Sequence, residues 1–294
     1  MKRSMQWGLA ALLACALSTA LAGKLPVVAS FSMVADMTRQ VGGDRVDVTA
    51  LVGADQDAHV FQPAPADVRR LSQARVFVVN GLGLEGWLGR LTGSAGFKGV
   101  TIVASRGVTS LKASGGDEAG GLDPHAWQDP QRVLRYIATI RDGLIAADPD
   151  GRAGYTARAA AFSARVAALD RWAAAAFAAV PPERRKVLTS HDAFAYLGAR
   201  YQIRFLAPQG VSTDAEASAR KVAELVRQIR RERVKAVYFE NMSDQRVLRQ
   251  IANEAGVAVN DKLYSDALSD ARGPAATWEA MFRYNVSTLL KALK

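Results

Sequence analysis

The chain has 294 residues, 49% of them hydrophobic, and a formal net charge of +10. Its one cysteine, Cys15, excludes a disulfide framework, and cleavage of the leader that contains it would leave no thiolate ligand. The excess cations are scattered, as in Arg69-Arg70 and Arg230-Arg231-Glu232-Arg233, with no aromatic interleaving. They read as solvated helix faces rather than a nucleic-acid or membrane surface.

Residues 1–22 read as a secretory signal peptide. Lys2 and Arg3 give the positive start, Leu9 to Leu17 the short apolar run, and Ala20-Leu21-Ala22 the small-x-small cleavage signal. That run is too short to span a bilayer, and no later run of about 18 apolar residues exists. Export to the periplasm as a soluble protein is the expectation. Cleavage after Ala22 removes Lys2 and Arg3, so the charge falls from +10 to +8. The alternative takes Leu12-Leu13-Ala14-Cys15 as a lipoprotein signal with Cys15 acylated. About 270 residues remain, enough for two ordinary domains or one large one.

Short β-branched runs then alternate with amphipathic segments. Strands are expected at Pro26–Ser30, Val46–Val52, Val76–Asn80 and Val100–Ala104. The segment Lys112–Gly121, with four glycines and no apolar periodicity, reads as a mobile surface loop. Asp129-Pro130 starts a helix with an apolar stripe of Val133, Ile137, Ile140 and Leu144. Asp148-Pro149 starts another. Tyr155, Phe162, Val166, Leu169, Ala173, Phe177 and Val180 follow at mostly three- and four-residue spacing until Pro181-Pro182. About 30 helical residues span roughly 45 Å, and so long a helix reads as a rigid strut. Further strands are expected at Lys186–Ser190, Ile203–Leu206, Val234–Phe239 and Val257–Val259. Val222, Leu225, Val226 and Ile229 share one helix face between them. The expected fold is α/β: an N-terminal lobe (23–147), a linking backbone helix (148–180) and a C-terminal lobe (181–294). Each lobe should hold a mainly parallel four-stranded sheet with flanking helices.

Only three histidines occur, and all follow expected strands. His59 comes after the second strand, His125 after the fourth strand and the glycine-rich loop, and His191 at the tail of the first strand of the second lobe. Open α/β sheets bind ligands outside the carboxyl ends of their strands, so two facing lobes would gather the three across a cleft. Three imidazoles and a carboxylate suit a borderline divalent cation such as zinc. The carboxylate is expected from the second lobe: Asp266 in Tyr264-Ser265-Asp266-Ala267-Leu268, or Glu240 at the end of Val237-Tyr238-Phe239-Glu240. Plainer roles exist for each residue. His191 could start a helix capped by Ser190 or Asp192, and Asp57 and Asp123 could turn on their own backbone. Ser190, His191 and Asp192 are consecutive and cannot form a catalytic triad, whose members converge from separate segments. Gly81-Leu82-Gly83 lacks the third glycine of a dinucleotide loop. An exported zinc hydrolase, with three histidine ligands, an open water site and Glu240 as base, is the competing reading.

Four motifs carry a resemblance: Asp57-Ala58-His59-Val60-Phe61-Gln62-Pro63, Asp123-Pro124-His125-Ala126-Trp127, Ser190-His191-Asp192-Ala193-Phe194 and Tyr264-Ser265-Asp266-Ala267-Leu268. In this order around a long central helix, they resemble the metal-binding (cluster A-I) solute-binding proteins of ABC importers for zinc and manganese. The resemblance covers the whole mature chain, from Val27-Val28-Ala29-Ser30-Phe31 to the last helix. It implies a non-enzymatic receptor that captures a divalent metal between the lobes and delivers it to an ABC permease in the inner membrane. It implies His59, His125, His191 and Asp266 as ligands. Manganese-type members often carry glutamate where this chain has His191, which leans the choice to Zn2+, with Mn2+ second. Ala58 stands where proline is usual, a change expected to alter loop stiffness and not ligation. Zinc-type members typically carry a histidine- and acid-rich loop before the second motif. Here Lys112–Gly121 has no histidine and only Asp117 and Glu118, so metal collection is absent or passed to a partner such as a periplasmic metallochaperone. A monomer is expected, with no nucleic-acid partner.

Overall fold

The computed structural model describes residues 23–113, 120–214, 218–234 and 236–294. The expected leader, its cleavage point, Cys15 and the middle of the Lys112–Gly121 loop lie outside the described residues.

The first half alternates strand and helix as its sequence pattern requires: β1 (Leu25–Phe31), α1 (Ser32–Gly42), β2 (Val46–Val52), α2 (Pro65–Gln73), β3 (Val76–Val79), α3 (Leu88–Ala95) and β4 (Val100–Val103). The four strands form one sheet in the order β2-β1-β3-β4, every pair parallel. Parallel neighbours need crossovers, and α1, α2 and α3 supply them. Helices on both faces explain why the central strand β3 (VFVV) is apolar throughout and fully buried.

Asp129 caps α4 (Pro130–Ala147) as expected, its carboxylate accepting the Gln131 N–H at 2.9 Å with Pro130 in the first turn. The second Asp-Pro pair behaves differently. Asp148 closes α4 and caps nothing with its side chain. Its carboxylate instead takes the Arg45 guanidinium at 2.8 and 2.9 Å and the Tyr155 hydroxyl at 2.5 Å. A 3₁₀ turn over Pro149–Gly151 intervenes, and the long helix α5 runs from Arg152 to Ala178, 27 residues, or about 40 Å. Its buried stripe is Tyr155, Ala159, Phe162, Val166, Leu169, Ala173 and Phe177, with the buried Asp170 beside it. Asp170 accepts from Gln131 Nε2 (2.6 Å) on the α4 side, and from Arg200 (2.9 and 2.6 Å) and the Tyr201 hydroxyl (2.8 Å) on the other. One carboxylate on the strut thus grips both halves.

The second half contains β5 (Lys186–Leu188), α6 (Ala195–Tyr201), β6 (Arg204–Leu206), α7 (Ala219–Glu232), β7 (Ala236–Val237), β8 (Phe239–Glu240), α8 (Gln245–Ala255), β9 (Lys262–Leu263) and α9 (Trp278–Leu293). Its sheet has three parallel strands, β6-β5-β7, and β8-β9 form a separate parallel pair. Four strands in one sheet were expected, and Asn260 explains the difference. Its side-chain Oδ1 accepts the Val237 N–H (2.8 Å) and its own N–H donates to Val237 O (2.7 Å), so a side chain replaces a ladder partner. The run Val234–Phe239 is therefore split at Tyr238, Val257–Val259 forms no strand, and pairing resumes at Lys262.

The end of the chain returns to its beginning. The Trp278 N–H donates to Asp36 Oδ2 at 2.8 Å and its indole N–H to Trp127 O at 2.9 Å. One apolar core consequently runs from β1 through α5 to α9, and a smaller one lies beneath α7 and α8.

Candidate metal centre

Each motif histidine sits on a loop at the carboxyl end of a strand, and each loop is held from several sides. After β2, Asp57 Oδ1 accepts the His59 N–H at 2.8 Å, the local turn its sequence allowed. The indole of Trp87 donates to Ala58 O (2.9 Å), and Phe61 packs edge-on against the same indole. From the second half, Thr213 Oγ1 donates to Asp57 Oδ2 (2.7 Å) and Asn241 Nδ2 to Asp55 Oδ1 (2.7 Å).

His125 is fixed by Asp123, whose Oδ1 accepts the His125 N–H at 2.9 Å and also lies 2.8 Å from ring Nδ1. Behind it, Asn80 Nδ2 donates to Pro124 O (3.0 Å) and Asn80 Oδ1 accepts from the Tyr136 hydroxyl (2.6 Å). The buried Glu85 holds that turn by accepting from the Ser30 hydroxyl and the Asn80 and Gly81 N–H groups. Gly81-Leu82-Gly83 therefore belongs to a loop brace, not to a phosphate site.

His191 follows β5. Its N–H donates to Glu240 Oε1 at 2.9 Å, and its Nδ1 lies 2.5 Å from Glu240 Oε2. Helix α6 begins later, with Phe194 at its N-cap, so neither Ser190 nor Asp192 caps it.

Asp266 comes from the last third of the chain yet is fastened to the first half. Its neighbour Ser265 offers its carbonyl to the Trp127 indole (2.9 Å) and the Gln128 amide (2.8 Å). Leu268 N donates to Ser32 Oγ (2.9 Å), and Leu268 O accepts the Asp55 N–H (3.0 Å).

These supports bring four side chains to one point. His59 Nε2 and His191 Nε2 each lie 3.1 Å from Asp266 Oδ2, and His125 Nε2 lies 3.5 Å from Asp266 Oδ1. One donor atom from each residue falls within 4.8 Å of all the others, and all four residues are buried. His59 alone retains a trace of exposure, at 9%. Asp266 Oδ1 has no hydrogen-bond partner among the described residues, which leaves a lone pair aimed at the cluster. Burial pulls the His125 imidazole down, but the Asp266 and Asp123 carboxylates outweigh it and hold it at about 9. The same contest, with Glu240 and Asp266 against burial, raises His191 well above the ordinary histidine range. Burial would raise Asp266, but the two imidazoles hold it well below the carboxylate range. Three nitrogens and one carboxylate around a buried point form a donor set suited to a divalent cation.

The four residues named as ligands from the sequence are the four that converge. Glu240, the alternative carboxylate, stands behind His191 and faces its far ring nitrogen. Both of its oxygens are engaged by His191, so it is not placed to act as a base toward the cluster. The contacts of Glu240 and Asp123 with ring nitrogens were not read from the sequence. Asp123 gave a faint signal, since it stands two residues before a histidine as Asp57 does.

The family described as "Zinc-uptake complex component A periplasmic" (ZnuA) matches residues 27–292. The manganese-binding lipoprotein MntA of Halalkalibacterium halodurans is 31% identical over 269 residues, covering 92% of this chain and 88% of that protein. The manganese ABC transporter substrate-binding lipoprotein PsaA of Streptococcus pneumoniae is 28% identical over 291 residues, covering 96% and 94%. Among solved structures, the periplasmic zinc binding protein TroA from Treponema pallidum superposes with a TM-score of 0.87 at 27% identity, covering 92% and 99%.

Proposed function

We propose that this chain, which belongs to the ZnuA family of metal-binding substrate-binding proteins of ABC importers, captures zinc through His59, His125, His191 and Asp266. Proteins of this kind are binding proteins and not enzymes, and they serve a membrane permease. The observation that carries the zinc reading is the donor set itself: three imidazole nitrogens to one carboxylate. Imidazole suits zinc, whereas manganese favours carboxylate, carbonyl and water oxygens. Several relatives are manganese-binding by name, so manganese is the competitor to test against. The permease would lie in the inner membrane, with a metallochaperone as a further partner and the receptor acting as a monomer.

We treat residues 23–147 and 181–294 as two lobes with the cleft between them, joined by a backbone segment over 148–180. The protein works outside the cytoplasm. Relatives named as lipoproteins favour acylation of Cys15 over cleavage after Ala22, a reversal of the preference drawn from the leader alone. Labelling with palmitate decides between them.

The test is competition. The purified chain, stripped with a chelator, is titrated with zinc and with manganese, and protein from its own compartment is analysed by native mass spectrometry with elemental analysis. Zinc should bind more tightly and be the metal carried. Tighter manganese binding, with manganese recovered, would overturn the assignment.

A further inference from the structure

His125 and His191 share a feature: each has a carboxylate at its Nδ1, the nitrogen turned away from the cluster, whereas the carboxylate beside the His59 ring meets its Nε2. The two cases are not equivalent. Asp123 precedes His125 by two residues and travels with it on the same loop. Glu240 reaches His191 from another strand, 49 residues on, and is itself fully buried. Apart from this mutual contact, Glu240 Oε2 and His191 Nδ1 have no hydrogen-bond partner among the described residues. The other oxygen, Oε1, takes the His191 main-chain N–H. One carboxylate therefore holds both the backbone and the ring of a single histidine.

His191 is also the member of the cluster whose support comes wholly from the second half. The Asp266 loop is fastened to Trp127, Gln128 and Ser32, and the His59 loop to Trp87. Outside the cluster itself, the polar contact on the His191 ring is the one that Glu240 makes at Nδ1.

We propose that Glu240 is a positioning residue that sets metal preference. It holds the His191 proton on Nδ1 and turns the Nε2 lone pair into the cluster, making the site a three-nitrogen site. An anionic acceptor on Nδ1–H also strengthens Nε2 as a donor, which favours zinc over an oxygen-preferring cation such as manganese. This inference rests on the metal-binding reading above.

Glu240→Gln is the informative change because it is nearly isosteric and removes one acceptor. If the amide oxygen keeps the His191 N–H, the NH₂ group faces Nδ1. The ring then has to accept there and carry its proton on Nε2, where it blocks the metal. If the amide turns over, donor faces donor at the backbone N–H.

Zinc and manganese affinities are measured for both proteins by chelator competition. Zinc affinity should fall about ten- to a hundredfold, the usual effect of losing a partner behind a ligating histidine. Manganese affinity should fall less, narrowing the ratio between the metals. An unchanged zinc affinity, or equal losses for both metals, overturns the inference. Should E240Q fail to fold, the wild-type chain decides. With three histidines in the chain, long-range ¹H–¹⁵N spectra of the zinc-loaded protein should show His191 protonated at Nδ1 and metal-bound at Nε2. Zinc on Nδ1 would overturn the proposal. Wild-type protein that binds neither metal would sink the functional reading instead, a different outcome from wild-type binding that E240Q leaves untouched.

Discussion

His125 Nε2 and His191 Nε2 stand 3.3 Å apart, although 66 residues and the whole of α5 separate them in the chain. Both nitrogens also contact the Asp266 carboxylate. Two imidazoles facing one another across a buried carboxylate are stable only with a shared proton or a cation between them. The preference between those two occupants underlies the first two predictions.

His191→Ala should lower zinc affinity at least about tenfold and leave the fold intact. His191 is buried beside the cluster, but the apolar core beneath it is built from other side chains. Calorimetric titration with zinc, alongside far-ultraviolet circular dichroism, checks both halves of the statement. Equal affinity in the variant would remove His191 from the site.

Zinc affinity should rise with pH through neutrality and go on rising toward about pH 9. The metal-free cluster holds His125 at about 9 and His191 well above the ordinary range, so bound protons must leave before nitrogen can ligate. Each imidazole that has to lose its proton contributes about a tenfold gain per pH unit below its own value. Chelator competition between pH 6 and 9 measures this. A plateau from pH 7 upward would mean that the imidazoles titrate as free histidine does, and flat affinity down to pH 5 would exclude histidine ligation.

Asp36→Asn should stabilise the protein at pH 8 and have little effect near pH 4. Burial raises the Asp36 carboxyl to about 6 despite the hydrogen bond from Trp278 N and the nearby Arg39. A group with a raised folded value favours the fold fully below its unfolded value of 3.8, and that contribution disappears as pH climbs through about 6. A shift of about two units corresponds to about 3 kcal/mol. The asparagine oxygen can still accept from Trp278 N. Melting temperatures of both proteins from pH 4 to 8 give the answer, and a uniform loss of stability across that range would contradict it.

Asp170→Ala should destabilise the chain and loosen the halves, because Gln131, Arg200 and Tyr201 all lose one shared acceptor. The partly exposed Arg200 limits the cost to about 2 kcal/mol. In the wild type this anchor and the unbroken α5 should confine metal capture to loops and side chains. Small-angle scattering should then be the same with and without zinc. A large domain rotation on loading would refute the strut.

Much of this architecture was legible in the sequence. The apolar stripe from Tyr155 to Phe177 marked α5, and β1 to β4 lie within a residue or two of the β-branched runs. His59, His125, His191 and Asp266 were found because strand ends in parallel sheets share one edge and because the motifs resemble a known family. Other features depend on register in space, which spacing along a chain does not encode. Asn260 replaces a ladder partner with its side chain, an event without periodicity. Asp148 looked like a helix cap but answers to Arg45, 103 residues away. Glu240 could be read as a candidate carboxylate, but only its position relative to the His191 ring separates a ligand from a residue behind one.

Crystals grown with zinc, with diffraction recorded on both sides of the zinc absorption edge, test the four-residue site most directly. The expected result is one anomalous peak about 2.0–2.2 Å from His59, His125 and His191 nitrogens and an Asp266 oxygen. A peak elsewhere, or one held by the three histidines and water with Asp266 turned away, would contradict it.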